Sequence, residues 1–519
     1  MKKRVGVFLL AMALAFVLTA PVLAASKVDF SGTFRVRAFY LNNLTLNPKA
    51  QWESKQSFLD ERLRIDFKIM PTENLTLNVG LTTEDLTWGR QGTGQFANRP
   101  YGNATVPSSK TGFEIRYAWL TVKTPFGQFD VGRMMGDMAG LANLGWFGSE
   151  LAYAGFLDDT DLNSRDRISW TYGAGNFTLN AFYEKKHEAD SGTGAAALNA
   201  NRKYDQDWDS IAVTPTFKFA NGGVSLTLAY DRMHSQFADL AGNTAMAALL
   251  ANTAAGFGGF INSDIDGYLW SINPAAVLQF GPFGLHTELK YQTGQLKWRN
   301  VWNAPSRAAT AAGNQDEVKS EAELSGFAFY IDATYNYGPG LVGLEYAYLS
   351  GDKAATDYKI TNIITAGWDF CPFLIVYDRA LAWTDHDNAT FNPTPVTNIS
   401  DGANHWMIGA WWDHAVMEDL KLHAALGYFE VIEAGRNFFT NREVKKSYGT
   451  EFDVSVLYTL MSNLTLQVDL GYFWPGDYWK QGWDNEQEIR NAGGNKYQIE
   501  SWSKAGNAYA LKTTLTLSF

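Results

Sequence analysis

Cysteine is all but missing from this chain. Cys371 is the single one in 519 residues, so no intrachain disulfide can form and no paired-thiol site can be built. It sits in Phe370-Cys371-Pro372-Phe373 and reads as an apolar filler. No C-x-x-C-H occurs, so no c-type haem is attached. Beyond the amino-terminal segment there is no apolar run of about 18 residues or more, which excludes a spanning helix. Positive charge is in deficit: 43 Lys and Arg stand against 54 Asp and Glu, for a net charge of −11, which argues against nucleic acid as a partner. There is no G-x-S-x-G, no P-loop and no H-E-x-x-H, so enzyme chemistry has no motif to stand on. Of the 7 His, those in His187-Glu188-Ala189-Asp190 and Asp385-His386-Asp387 lack a ligand spacing, and neither a metal nor a cofactor is implied.

Aromatic residues are abundant: 18 Trp, 24 Tyr and 33 Phe, with 47 Gly. Mean hydropathy is nonetheless only −0.21. A transmembrane barrel combines these values because only alternate residues face lipid. A large secreted β protein would also fit. The chain opens with Lys2, Lys3 and Arg4, an apolar run from Val5 to Leu18, then Thr19-Ala20-Pro21-Val22-Leu23-Ala24-Ala25. This is the form of a secretory signal peptide over 1–24, cut after Ala24, leaving a chain from 25 to 519 whose net charge is three units more negative.

Alternation decides between the two β readings. In the last stretch, Tyr509, Leu511, Thr513, Leu515, Leu517 and Phe519 share one face of a strand, and Ala508, Ala510, Lys512, Thr514, Thr516 and Ser518 share the other. Near the start, Phe30, Phe34 and Val36 oppose Thr33, Arg35 and Arg37, and Leu63, Ile65 and Phe67 oppose Arg62, Arg64 and Asp66. A face this charged suits the watery side of a barrel wall, not a soluble core. Strands are read near 28–40, 58–70, 75–82, 113–124, 127–134, 166–173, 176–186, 207–219, 223–233, 265–280, 284–298, 323–337, 340–350, 404–413, 419–430, 447–460, 463–474 and 506–519. Short connections rich in Pro, Gly, Asn and Asp alternate with long ones, of which 351–403 is the longest. The expected fold is all-β: a transmembrane antiparallel barrel of about 18 strands. A bare strand edge finds no hydrogen bonds in lipid, so the first and last strands must pair. Trp119, Trp170, Trp270, Trp406, Trp412 and Tyr472 are expected in the aromatic girdles.

Two regions, with a further short segment, resemble known porin families. Arg116-Tyr117-Ala118-Trp119-Leu120, continuing through Thr124-Pro125-Phe126-Gly127-Gln128-Phe129-Asp130-Val131-Gly132-Arg133, is similar to a strand–turn–strand of general Gram-negative porins. That resemblance implies that the following loop, 134–165, folds inward and narrows the pore. Its acidic residues Asp137, Glu150, Asp158, Asp159 and Asp161 would then face wall arginines, Arg133 among them. Tyr448 to Asp453, Asn463 to Leu466 and Gly471 to Asp477 resemble the carboxy-terminal part of the alginate-export family, also an 18-stranded barrel, as does Tyr348 to Asp352. The terminal Phe519 resembles the closing residue of outer-membrane barrels and implies recognition by the barrel-assembly machinery. General porins imply a homotrimer, alginate-type exporters a monomer. Either implies contact with outer-membrane lipid and lipopolysaccharide.

Alternation aims Arg35, Arg37, Arg62, Arg64, Arg116 and Arg167 into the barrel, and with them the acidic Asp332, Glu345, Glu451, Asp453 and Asp469. An arginine wall facing acidic residues would set a field that screens solutes by charge and size. The same arginines could instead simply satisfy wall carboxylates such as Asp29, Asp60 and Asp66. Strict alternation puts Arg133 on the lipid side with Phe129 and Val131, whereas the resemblance puts it in the pore. A bulge near Gly132 would reconcile the two. Trp474, Tyr478, Trp479 and Trp483 could stack on sugar rings, or pack in the girdle and loop. The apolar run Phe370 to Tyr377 could plug the barrel or extend outside it. The expected activity is passive diffusion of small hydrophilic solutes and ions through an outer-membrane channel. A carbohydrate-selective channel and a sleeve around a partner protein are the alternatives.

Overall fold

The computed structural model describes residues 27–43, 55–83, 86–88, 114–135, 164–188, 207–236, 264–299, 321–351, 359–361, 363, 373–376, 404–433, 445–480, 488–490, 496–498 and 506–519. The expected signal peptide lies outside them.

Eighteen long strands form the wall. They are β1 (Lys27–Asn42), β2 (Lys55–Thr72), β3 (Leu75–Thr82), β4 (Glu114–Thr124), β5 (Gly127–Met135), β6 (Ser164–Ala174), β7 (Phe177–Glu188), β8 (Asp207–Phe219) and β9 (Gly222–Gln236). The second half is β10 (Asp264–Phe280), β11 (Phe283–Arg299), β12 (Glu321–Asn336), β13 (Gly340–Leu349), β14 (His405–Met417), β15 (Leu420–Val431), β16 (Ser447–Met461), β17 (Leu464–Pro475) and β18 (Ala508–Ser518). The largest departure from the strands read in the sequence is at the end of β14, placed at 413 and found at Met417.

Each strand is antiparallel to the next, and β18 closes on β1 in the register Thr33↔Ser518 to Asn42↔Tyr509. The closure continues past the strand end, where Gly32 and Phe519 exchange backbone hydrogen bonds of 2.8 and 3.0 Å. No edge of the long-stranded sheet is left bare, which is what a lipid environment demands. Short turns join strands at one end. Gly175 and Gly281 adopt φ of 60° and 61° there, a conformation that glycine reaches without a Cβ penalty.

The barrel is inverted relative to a soluble protein. Phe30 is 66% exposed and Leu344 63%, while Arg37, Asp60, Glu184, Glu288, Lys290 and Glu451 are buried inside. Apolar side chains outside meet hydrocarbon; inside, polar side chains satisfy one another beside an apolar cluster that includes Phe39, Leu41, Phe429 and Phe473.

Candidate functional site

The basic side of the wall is built by β1, β2 and β6. Arg35 and Arg62 are cross-strand neighbours, as are Arg37 and Asp60. The Arg37 guanidinium grips Asp60 with two hydrogen bonds, Nε to Oδ1 at 2.9 Å and Nη2 to Oδ2 at 2.7 Å. Arg167 holds Glu184 of β7 through Nε at 2.9 Å, with its guanidinium carbon 4.2 Å from the Phe182 ring centroid. Both pairs are buried, so these two arginines satisfy wall carboxylates. Arg64 is buried on the same face of β2. Asp66 accepts a 2.5 Å hydrogen bond from the Tyr117 hydroxyl, and Asp29 pairs with Lys27.

A bulge lies where the sequence does not announce one. Gly80 pairs with Tyr117 and Leu81 with Ile115, which leaves Arg116 as the extra residue. The phase of β4 shifts there. Tyr117 and Trp119 turn into the barrel, opposite Gly80 and Asn78, so Trp119 is not a girdle residue. The Tyr117 ring lies against Gly80, where a Cβ would come within 2.5 Å of it. Arg116 itself stands with its guanidinium carbon 5.7 Å from the Tyr117 ring centroid.

Pairing then runs through Gly132 without a shift on either side. Arg133 therefore stays outside with Phe129 and Val131, and the pore position implied by family resemblance is corrected. Its side chain is 50% exposed and meets Asp166 at 3.3 Å. The register carries this outer row onward: Asp166 faces Lys185, Lys185 faces Asp209, and Asp209 faces Arg232. Lys185 and Arg232 reach Asp209 at 3.4 and 3.2 Å. Charges cannot sit in hydrocarbon, so the row marks the upper edge of the apolar band.

The acidic side belongs to β12, β13, β16 and β17. One row of cross-strand neighbours reads His286, Asp332, Glu345, Gly409, Gly427, Glu451 and Phe473. Asp332 accepts from Trp411 Nε1 at 3.2 Å, and Asp469 pairs with Lys512 at 3.2 Å. Residues 373–376 lie inside the barrel against this wall. Leu374 N–H donates to Asp453 Oδ2 at 2.9 Å, Ile375 N–H to Glu451 Oε1 at 2.5 Å, and Val376 N–H to Glu451 Oε2 at 2.8 Å. Phe373 meets Phe429 edge-on at 5.1 Å and covers Gly427, where a Cβ would stand 2.3 Å from its Cζ. Phe373, Leu374 and Ile375 join a buried apolar cluster with Phe429, Phe473 and Tyr448.

Trp474 points outward, 4.7 Å from Tyr472 between ring centroids, while Tyr478 is buried against Tyr448 at 5.5 Å. Neither presents a face to a lumenal sugar. The Trp479 side chain, Trp483 and the loop residues Asp137, Glu150, Asp158, Asp159 and Asp161 lie outside the described residues.

The model of a protein family described as Gram-negative porin matches residues 10–473. The chain belongs to the Gram-negative porin family. Its members are channels and not enzymes, and the porin resides in the outer membrane. No curated protein sequence matches the chain. Solved structures similar to it include a BenF-like porin from Pseudomonas fluorescens Pf-5, at 12% identity, covering 95% of this chain and 99% of that one, with a TM-score of 0.48. Pseudomonas aeruginosa OccK8 (OprE) is also 12% identical over 96% of this chain and 99% of that one, at 0.46. An anion-selective porin from Comamonas acidovorans is 12% identical over 95% and 100%, at 0.39.

Sequence reading misses the seat for residues 373–376 in this porin. The signal was present: Gly409, Gly427 and Gly471 fall on the inward face of their strands, each beside bulky or charged inward neighbours such as Trp411, Phe429 and Asp469. A Cβ at Gly471 would meet Leu374 Cβ at 3.0 Å, so all three glycines clear space for the segment.

Proposed function

We propose that the porin is a channel for passive diffusion of small hydrophilic solutes and ions. The observation that carries this reading is the polarity of the inner wall. Arg35, Arg37, Arg62, Arg64 and Arg167 gather on β1, β2 and β6, and Asp332, Glu345, Glu451, Asp453 and Asp469 on β12 to β17. Asp332 and Glu345 on β12 and β13 stand well round the closed ring from β1, β2 and β6, whereas Glu451, Asp453 and Asp469 on β16 and β17 are only a few strands from β1. Arg35, Arg62 and Arg64 on one part of the wall and Asp332 and Glu345 on another would set a field across the lumen that orders water and dipolar solutes and sorts them by charge. The expected source of that field was loop 134–165. On this reading the acidic strands contribute to it from the wall.

The outer face extends the same proposal. Its apolar band meets outer-membrane lipid, its charged upper row meets lipopolysaccharide, and Phe519 on that face meets the assembly machinery. A homotrimer is the proposed assembly, from the resemblance to general porins.

Single-channel recording in a planar bilayer tests the channel. Stable ohmic steps are expected, with a reversal potential under a salt gradient that reports ion preference. Silence from a barrel that migrates as folded on a gel would sink the reading.

A further inference from the structure

We propose that residues 373–376 are a selectivity element: seated, the segment withdraws Glu451 and Asp453 from the conducting path, and released it uncovers them and moves ion preference toward cations. This rests on the channel reading above.

Three consecutive backbone N–H groups serve two carboxylates on one strand, with Glu451 taking two of them on separate oxygens. A carboxylate is an acceptor only, so a run of N–H donors is the cover it can take in place of water. The segment brings no charge of its own. Phe373, Leu374, Ile375 and Val376 lay an apolar surface over the acids they cap.

The wall is shaped for this occupant. Gly409 and Gly427 are cross-strand neighbours in the middle of the acidic row, between Glu345 and Glu451. Without side chains they leave a groove, and the Phe373 ring fills it. The ring, the glycine groove and the paired acids form one fitted contact, in which the acids lie 75 to 79 positions from the amides they accept from. With the cap in place, Glu451 and Asp453 are fully buried. Uncovered, they would face pore water, Glu451 on the same row of the wall as Glu345 and Asp332, across the two glycines. Fixed negative charge in a narrow path raises the local concentration of cations and lowers that of anions.

The test exchanges residues 373–376 for Gly-Ser-Gly-Ser and reads conductance and reversal potential in a potassium chloride gradient. The exchanged channel is expected to conduct more, and its anion-to-cation permeability ratio to fall about two-fold or more. Adding Glu451→Gln and Asp453→Asn to the exchange should return the ratio to the wild-type level while conductance stays high. A purely structural role for the two acids would not produce that return. Raised conductance at an unchanged ratio would mean that the segment only fills space, and would overturn the inference. If the exchange does not fold, Val376→Cys with Cys371→Ser carries the same question. An anionic thiol reagent on residue 376 shifts the ratio toward cations if the segment borders the path, and an unchanged ratio refutes it. A silent wild-type barrel would count against the channel itself, a separate failure.

Discussion

Replacing Gly427 by Ala should make the pore larger by adding atoms to its wall. The new Cβ would lie 2.3, 2.7 and 2.8 Å from Cζ, Cε2 and Cε1 of Phe373. Non-bonded carbons settle at about 3.5–4.0 Å, so the ring must retreat by about an ångström or more. It has little room to do so, being fully buried and set edge-on against Phe429 at 5.1 Å. Overpacking of this kind costs about 1–3 kcal/mol. Since each 1.4 kcal/mol is tenfold, the seated population falls roughly 5- to 150-fold relative to the released one. The strand itself tolerates the change, because Gly427 is not among the residues with positive φ and alanine costs less backbone entropy than glycine. Single-channel recordings beside the wild type should show longer or more frequent high-conductance openings, with the barrel running as folded on a gel. Gly409→Ala is the graded control, since its Cβ meets Phe373 only at 3.2 Å and otherwise the flexible end of Glu345. Conductance equal to or below that of the wild type in a folded Gly427→Ala barrel would refute the reasoning.

Arg37→Ala leaves Asp60 buried without its two guanidinium hydrogen bonds, and should cost about 3–5 kcal/mol in urea unfolding of the folded barrel. Arg133→Ala should leave conductance and ion preference as they are, because the side chain lies outside. A shifted reversal potential would return Arg133 to the pore. Gly32→Ala would bring a Cβ within 2.5 Å of both the Arg64 carbonyl oxygen and the Phe519 ring, so the yield of folded barrel in detergent refolding should fall.

Much of this porin is legible in one dimension because the forces that shape a strand are local. Lipid on one side and polar groups on the other impose a period of two, and tight turns select glycine, proline, asparagine and aspartate. Those signals place eighteen strands, their closure and the side of the wall on which Arg37, Arg62 and Arg167 stand. They also set Arg133 outside, against the family resemblance. They fail where phase depends on pairing. Nothing near Arg116 announces that Gly80 will face Tyr117 while Leu81 faces Ile115, and that mismatch turns Trp119 inward. They fail again where a contact joins distant parts of the chain. Glu451 is readable as an inward carboxylate, yet its partners are the amides of Ile375 and Val376, and the groove that receives Phe373 exists only once β14 and β15 lie side by side. A period belongs to a segment, whereas a register and a fitted seat belong to the assembled barrel.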